Sequence, residues 1–161
     1  MRVISAVSLA LLVCALTSCS GHKQTIVTKE GGATVETNQS NDTTTITTTK
    51  GTAVVGKNAV DVSKLDVPVY PGASSESGGL SVQSKEGNQQ IVMLTTSDSF
   101  DKVYDWYKNH MPAGSEKLHM TSGGSSVAQF AIGSENDKHF KSVMVTEATG
   151  KTAIQIVVGS K

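Results

Sequence analysis

The sequence predicts an α+β fold, an antiparallel sheet with one packed helix in the order β-β-α-β-β-β-β, preceded by a Thr-rich segment that is β or partly disordered. Three observations carry that expectation. Short runs of alternating apolar and polar residues recur between Gly- and Asn-rich turns. A single stretch, from Phe100 to Met111, repeats its apolar residues at helical spacing. All seven aromatic residues (Tyr70, Phe100, Tyr104, Trp106, Tyr107, Phe130 and Phe140) fall after position 69, which sets the start of the packed part near Asp66.

The elements follow in chain order. Eleven Thr crowd positions 25–52. Thr is β-branched and favours extended backbone. The runs 24–28, 33–37, 43–49 and 52–55 therefore read as short strands, with turns at Gly31-Gly32, Asn38 to Asp42 and Lys50-Gly51. Their low apolar content points to a β-meander or a partly ordered spacer over residues 19–65, and a Thr-lined binding face is the sharper alternative.

The compact α+β domain is expected over 66–161. Pro68 and Pro71 hold Val67 and Tyr70 extended, and Pro71-Gly72 suits the centre of a type II turn. Leu80 to Ser84 alternates as a half-buried strand, and Ile91 to Leu94 is apolar on both sides, as a central strand is. Ser97 or Asp98 is the expected helix cap, with Phe100, Val103, Tyr107 and Met111 inward and Lys102, Asp105 and Lys108 outward. Pro112 and Gly114 end the helix. Four strands complete the domain, over 116–121, 127–132, 140–146 and 152–158. In the first of these Leu118 and Met120 are expected inward and His119 outward.

The amino terminus carries a different kind of signal. Arg2 precedes an apolar run from Val3 to Leu16 that is too short to span a bilayer. Leu16-Thr17-Ser18-Cys19 resembles the lipobox of bacterial lipoproteins. The resemblance implies a signal peptide at 1–18, cleavage before Cys19, and acylation of the Cys19 thiol with diacylglycerol and a further chain such as palmitate. Cys14 lies in the removed segment, so the mature chain would hold no disulfide partner for Cys19. Ser20, rather than Asp, after the Cys favours the outer membrane.

The Asp66-x-Pro-x-Tyr-Pro-Gly-Ala73 element, with Thr96 to Ser99 and Val103-x-x-Trp-Tyr-Lys108, is similar to a widespread group of uncharacterised exported bacterial proteins and lipoproteins. That similarity covers residues 66–111 and implies no activity, cofactor or catalytic residue.

Composition narrows the function further. After residue 18 the chain carries 13 Lys, no Arg and 14 acidic residues, a net charge of −1, with the charges interspersed. Nucleic-acid binding asks for a basic patch and Arg, so no nucleic-acid partner is expected. There is no G-x-S-x-G, no P-loop, no dinucleotide fingerprint and no H-E-x-x-H. His110, His119 and His139 have no metal-ligand spacing, and the acids Asp98, Asp101 and Asp105 read as helix-start chemistry.

The expectation is a non-enzymatic binding or structural module of the cell envelope without cofactor or metal. It would meet the membrane through its lipid, face the periplasm or exterior, and engage an envelope protein or glycan. The rival is a small-molecule or glycan-binding lipoprotein with a pocket between helix and sheet, for which Tyr70, Tyr104 and Trp106 are the candidate binding surface. A metal- or acid-base-dependent enzyme comes third.

Overall fold

A computed structural model describes residues 22–28, 31–75, 78–134, 137–148 and 150–161. Cys19, the candidate lipidation site, lies outside the described residues. The strands are β1 (His22–Thr28), β2 (Gly31–Asn38), β3 (Thr43–Thr48), β4 (Gly51–Gly56), β5 (Gly79–Ser84), β6 (Gly87–Thr96), β7 (Glu116–Ser122), β8 (Ser125–Ile132), β9 (His139–Ala148) and β10 (Lys151–Ser160), and α1 spans Phe100–His110. All ten strands join one antiparallel sheet in the order β1-β2-β3-β4-β5-β6-β10-β9-β8-β7. From β6 the chain crosses one face as α1, starts again at the far edge as β7, and returns strand by strand until β10 pairs with β6.

The α+β character stands, but the expected strand order is incomplete. The Thr-rich runs are four further strands of the same sheet, with β4 paired to β5 from Gly51↔Ser84 to Gly56↔Gly79. β2, β3 and β4 are paired on both sides and β1, at the edge, on one, and cross-strand pairs such as Val35↔Ile46 and Ile46↔Ala53 supply the side-chain contact. Gly51 permits the close approach at the β4–β5 junction, since a Cβ there would sit 2.2 Å from the Gln83 carbonyl oxygen.

The core occupies the α1 side of the second half of the sheet. Val92, Leu94, Ala128, Phe130, Val143, Val145, Ile154 and Ile156 stand on the same side of β6, β8, β9 and β10, all essentially buried. Phe100, Val103, Tyr104 and Tyr107 of α1 and Met111 just beyond it close over them. The stripe behaves as its spacing predicts, and β6 is central. Between β4 and β5 the chain buries Val60, forms a 3₁₀ turn at Val62–Lys64, and continues as an extended strap that buries Val67 and Tyr70 at the rim of this core. The Ala73 amide donates to the Tyr70 carbonyl across Pro71-Gly72, and Gly72 takes φ +78°, as the type II turn requires.

Two local expectations are corrected. The helix cap is Ser99, with no side-chain capping bond. Asp98 instead accepts from the Tyr70 hydroxyl at 2.7 Å and from Lys102 at 3.0 Å. Leu118 and Met120 are exposed rather than inward, 41% and 52% accessible, and His119 is the residue that faces α1. The cause is a register shift between Glu116 and Leu118 that leaves Lys117 unpaired and turns the rest of β7 over.

Candidate functional site

The strand registers settle which side chains share the face away from α1. Gln24, Val35, Ile46, Ala53, Val82, Gln89 and Gly159 form one paired row from β1 to β10, and Val55, Leu80, Ile91, Val157, Ser142 and Ala131 form another. Met93, Gln155, Met144, Gln129 and Leu118 continue a third, with Met120 beside Val127 at the β7 edge. Among the described residues no other part of the chain lies over this face, and its side chains are half-buried by their neighbours or exposed.

The chemistry of that face is uniform. From β2 onward its strand positions are Val, Ile, Leu, Met, Ala, Phe, Thr, Ser, Gln and Gly apart from one Lys. Among the described residues its single charged strand position is Lys151, at the first residue of β10. The α1 side of β1–β5 is mostly the opposite: Lys23, Glu36, Thr34, Thr45, Thr47, Thr52, Ser81 and Gln83 stand there with Val54 the apolar exception, and Lys23 pairs with Glu36 at 3.9 Å. In β2–β5 the alternation is thus apolar away from α1 and polar towards it, the reverse of the core half. A sheet half with no helix to cover it keeps its greasier side on the bare face.

Two shallow concavities open onto the bare face. One, of about 310 Å³, is lined by Val82, Gln89, Phe140, Ser160 and Lys161 among others, and one of about 200 Å³ is lined by Ile46, Ala53 and Val82 with the β4 and β5 ends. The Phe140 ring lies over Gly159, whose missing side chain makes the room: a Cβ there would stand 2.0 Å from the ring.

The sequence-predicted binding residues lie on the other side. Tyr70 and Tyr104 are buried, at 4% and 7% exposure, and only Trp106 is half-open. Tyr70 meets Trp106 edge-to-face at 5.4 Å and gives its hydroxyl to Asp98. Trp106 carries the His110 ring on its face at 4.1 Å. The Tyr104 ring stacks with His119 at 4.0 Å, and its hydroxyl donates to Glu116 at 3.0 Å. The structure therefore brings each tyrosine to a carboxylate at the core rim and does not join the three into a groove. Their rings, with Phe100 and Phe130, fill the space between α1 and the sheet, where the rival reading needs a pocket.

Electrostatics around these residues are those of rim pairs. The Tyr70 hydroxyl and the Lys102 ammonium hold the Asp98 carboxyl below its ordinary value, and the Asp98 hydrogen bond with burial pushes the Tyr70 phenol up. Burial likewise raises the Tyr107 phenol. Lys141 lowers Asp66 through a direct ion pair that ties the strap to β9. His139 begins β9 opposite Ser160, whereas His119 on β7 is level, through Ala128, with Val145 near the other end of β9, and among the described residues no three His, Cys, Asp or Glu converge on a common point. No described helix is long and apolar enough to cross a membrane.

Sequence reasoning missed the bare face because it grouped the Thr-rich strands with a spacer. The signal was present: Val35, Ile46, Ala53 and Val55, then Leu80 and Val82, each occupy alternate positions that pairing brings onto one side. Compared with protein-family models, curated proteins and solved structures, the chain matches none.

Proposed function

We propose that this chain is a lipid-anchored bacterial cell-envelope protein whose work is binding, done through the bare face of its sheet rather than through a catalytic centre. The anchor is Cys19, on the lipobox resemblance of residues 16–19. The observation that supports binding is the face itself: rows of apolar and small polar side chains cross all ten strands without a charge until Lys151. Depletion of charge is what marks the centre of protein interfaces, and extended apolar patches on a soluble surface mark interaction sites. The α1 side supplies rigidity, since its closed core fixes the sheet on which the face is displayed.

The test uses the full chain in its envelope, extracted in mild detergent and sized under native conditions. Wild type is expected to take up labelled palmitate and to run heavier than one chain. Cys19→Ser is expected to lose the label, and label that persists overturns the anchor. Ile91→Lys puts a charge mid-face while leaving the α1 side untouched. It is expected to keep the label and the thermal transition but to fall to the mass of one chain. A wild-type mass equal to one chain, or a mass unmoved by Ile91→Lys, overturns binding through this face.

A further inference from the structure

We propose that the occupant of the bare face is a second copy of this chain, packed face to face so that two single sheets become a sandwich; this rests on the binding reading above and names its partner.

Area comes first. Ten strands spaced about 4.8 Å apart make a face roughly 40 Å wide, and strands of six to ten residues give it a height of about 20 Å. That is about 800 Å² on each copy, the share that one partner contributes to a standard stable interface. Charge comes second. A two-fold face meets itself, so any charge near its centre meets its own kind. The middle strands β5 and β6 place Leu80, Val82, Gln89, Ile91 and Met93 on this side and no charge at all. The charges, Lys151 at one end of the strands and Lys50, Glu86 and Lys161 at the other, lie at the margins; a face uncharged in its middle is self-complementary there without a rearrangement, and homodimer interfaces are the most apolar class.

Shape is the third consideration. The sheet is antiparallel throughout, and two such sheets with the same right-handed twist nest with their strands within about 30° of each other. The concavities beside Val82 and Phe140 give room for side chains of the facing copy. A lipid surface fits less well. With no Lys cluster and no Trp or Tyr among the described residues on that side, it offers anionic headgroups no attraction and an interface no aromatic anchor.

Strands β5 and β6 are fifth and sixth of ten, so they lie against the partner copy's middle strands whether the two-fold runs along or across the strands. The probe is therefore a photoreactive benzoylphenylalanine placed in the full chain, in intact cells, at Met93 or Val82. The control position is Gln83, next to Val82 but pointing to the α1 side. Met93 and Val82 are expected to give an adduct of twice the chain's mass whose peptides all come from this chain, lost at Gln83. Adducts joining the face to a different polypeptide or to lipid overturn the second copy and leave binding standing. No adduct at either position, with the thermal transition intact, overturns both. Equal dimer adduct from Gln83 overturns the face as the contact.

Discussion

The contact between Gly159 and Phe140 gives the bare face its most exact test of packing. Gly159↔Phe140 is a direct cross-strand pair between β10 and β9, and the Phe140 ring occupies the volume a side chain at 159 would need. In Gly159→Ala the new Cβ would fall 2.0 Å from one ring carbon and 2.7 Å from the next. Both are well inside van der Waals contact, so the ring must leave its position. Forcing a methyl into an occupied site costs about 1–3 kcal/mol. Against this, an Ala restricts the unfolded chain and returns about 0.4–1 kcal/mol. The net expectation is a loss of about 1–2 kcal/mol, or roughly 3–6 °C in Tm for a chain of this length. In a Phe140→Ala background the obstacle is gone, and the same Gly159→Ala change is expected to be neutral or slightly stabilising. Urea unfolding of the four members of the cycle measures the coupling directly. Equal destabilisation by Gly159→Ala in both backgrounds would refute the packing of Phe140 over Gly159.

Other perturbations address the rim, the core and the extension. Asp98 has its folded pKa lowered by Tyr70 and Lys102, so its contribution is present above its unfolded pKa and disappears as pH falls through the folded value. Asp98→Asn is therefore expected to flatten the acid limb of a stability-versus-pH curve while leaving its shape above pH 5 unchanged, and an unaltered acid limb would count against the pairing. Among the described residues the buried Tyr107 hydroxyl makes no well-formed hydrogen bond, with the Tyr70 backbone only a weak acceptor; Tyr107→Phe is expected to raise stability by about 1 kcal/mol in urea melts, since the poorly paired group no longer has to be desolvated. Gly51→Val would drive a side chain into the Gln83 carbonyl. Hydrogen exchange is expected to quicken in β1–β4 and to stay slow in β6 and β8–β10, because the one-layer strands open without the core.

Sequence alone shows the α1 half of the molecule clearly. Phe100, Val103, Tyr107 and Met111 recur at helical spacing and Ile91 to Leu94 is apolar throughout, and both signals are local. Pro71-Gly72 dictates its turn by backbone chemistry, again within four residues. What escapes is non-local. The join of β4 to β5 spans the long connection from Gly56 to Gly79, and nothing in the Thr-rich runs announces a partner beyond it. Leu118 and Met120 look inward on hydropathy, yet one unpaired residue at Lys117 reverses them. Tyr70 and Tyr104 look like ligand-stacking rings, but their hydroxyls reach Asp98 and Glu116, 28 and 12 positions away, and so are sealed into the rim. The bare face is the largest of these losses, because it exists only once the register is known.

That face carries three methionines, Met93, Met120 and Met144, while Met111 is 6% exposed in the core. Peroxide oxidation followed by peptide mass spectrometry reads all four in a single sample, in intact cells and in the purified chain at high dilution. Expected is slow oxidation of Met93 and Met144 in the envelope, rising towards the rate of free methionine on dilution, with Met111 slow in both. Met93 and Met144 oxidised as fast in the envelope as in dilute solution would show the face bare in the cell, and would contradict its use as a binding surface.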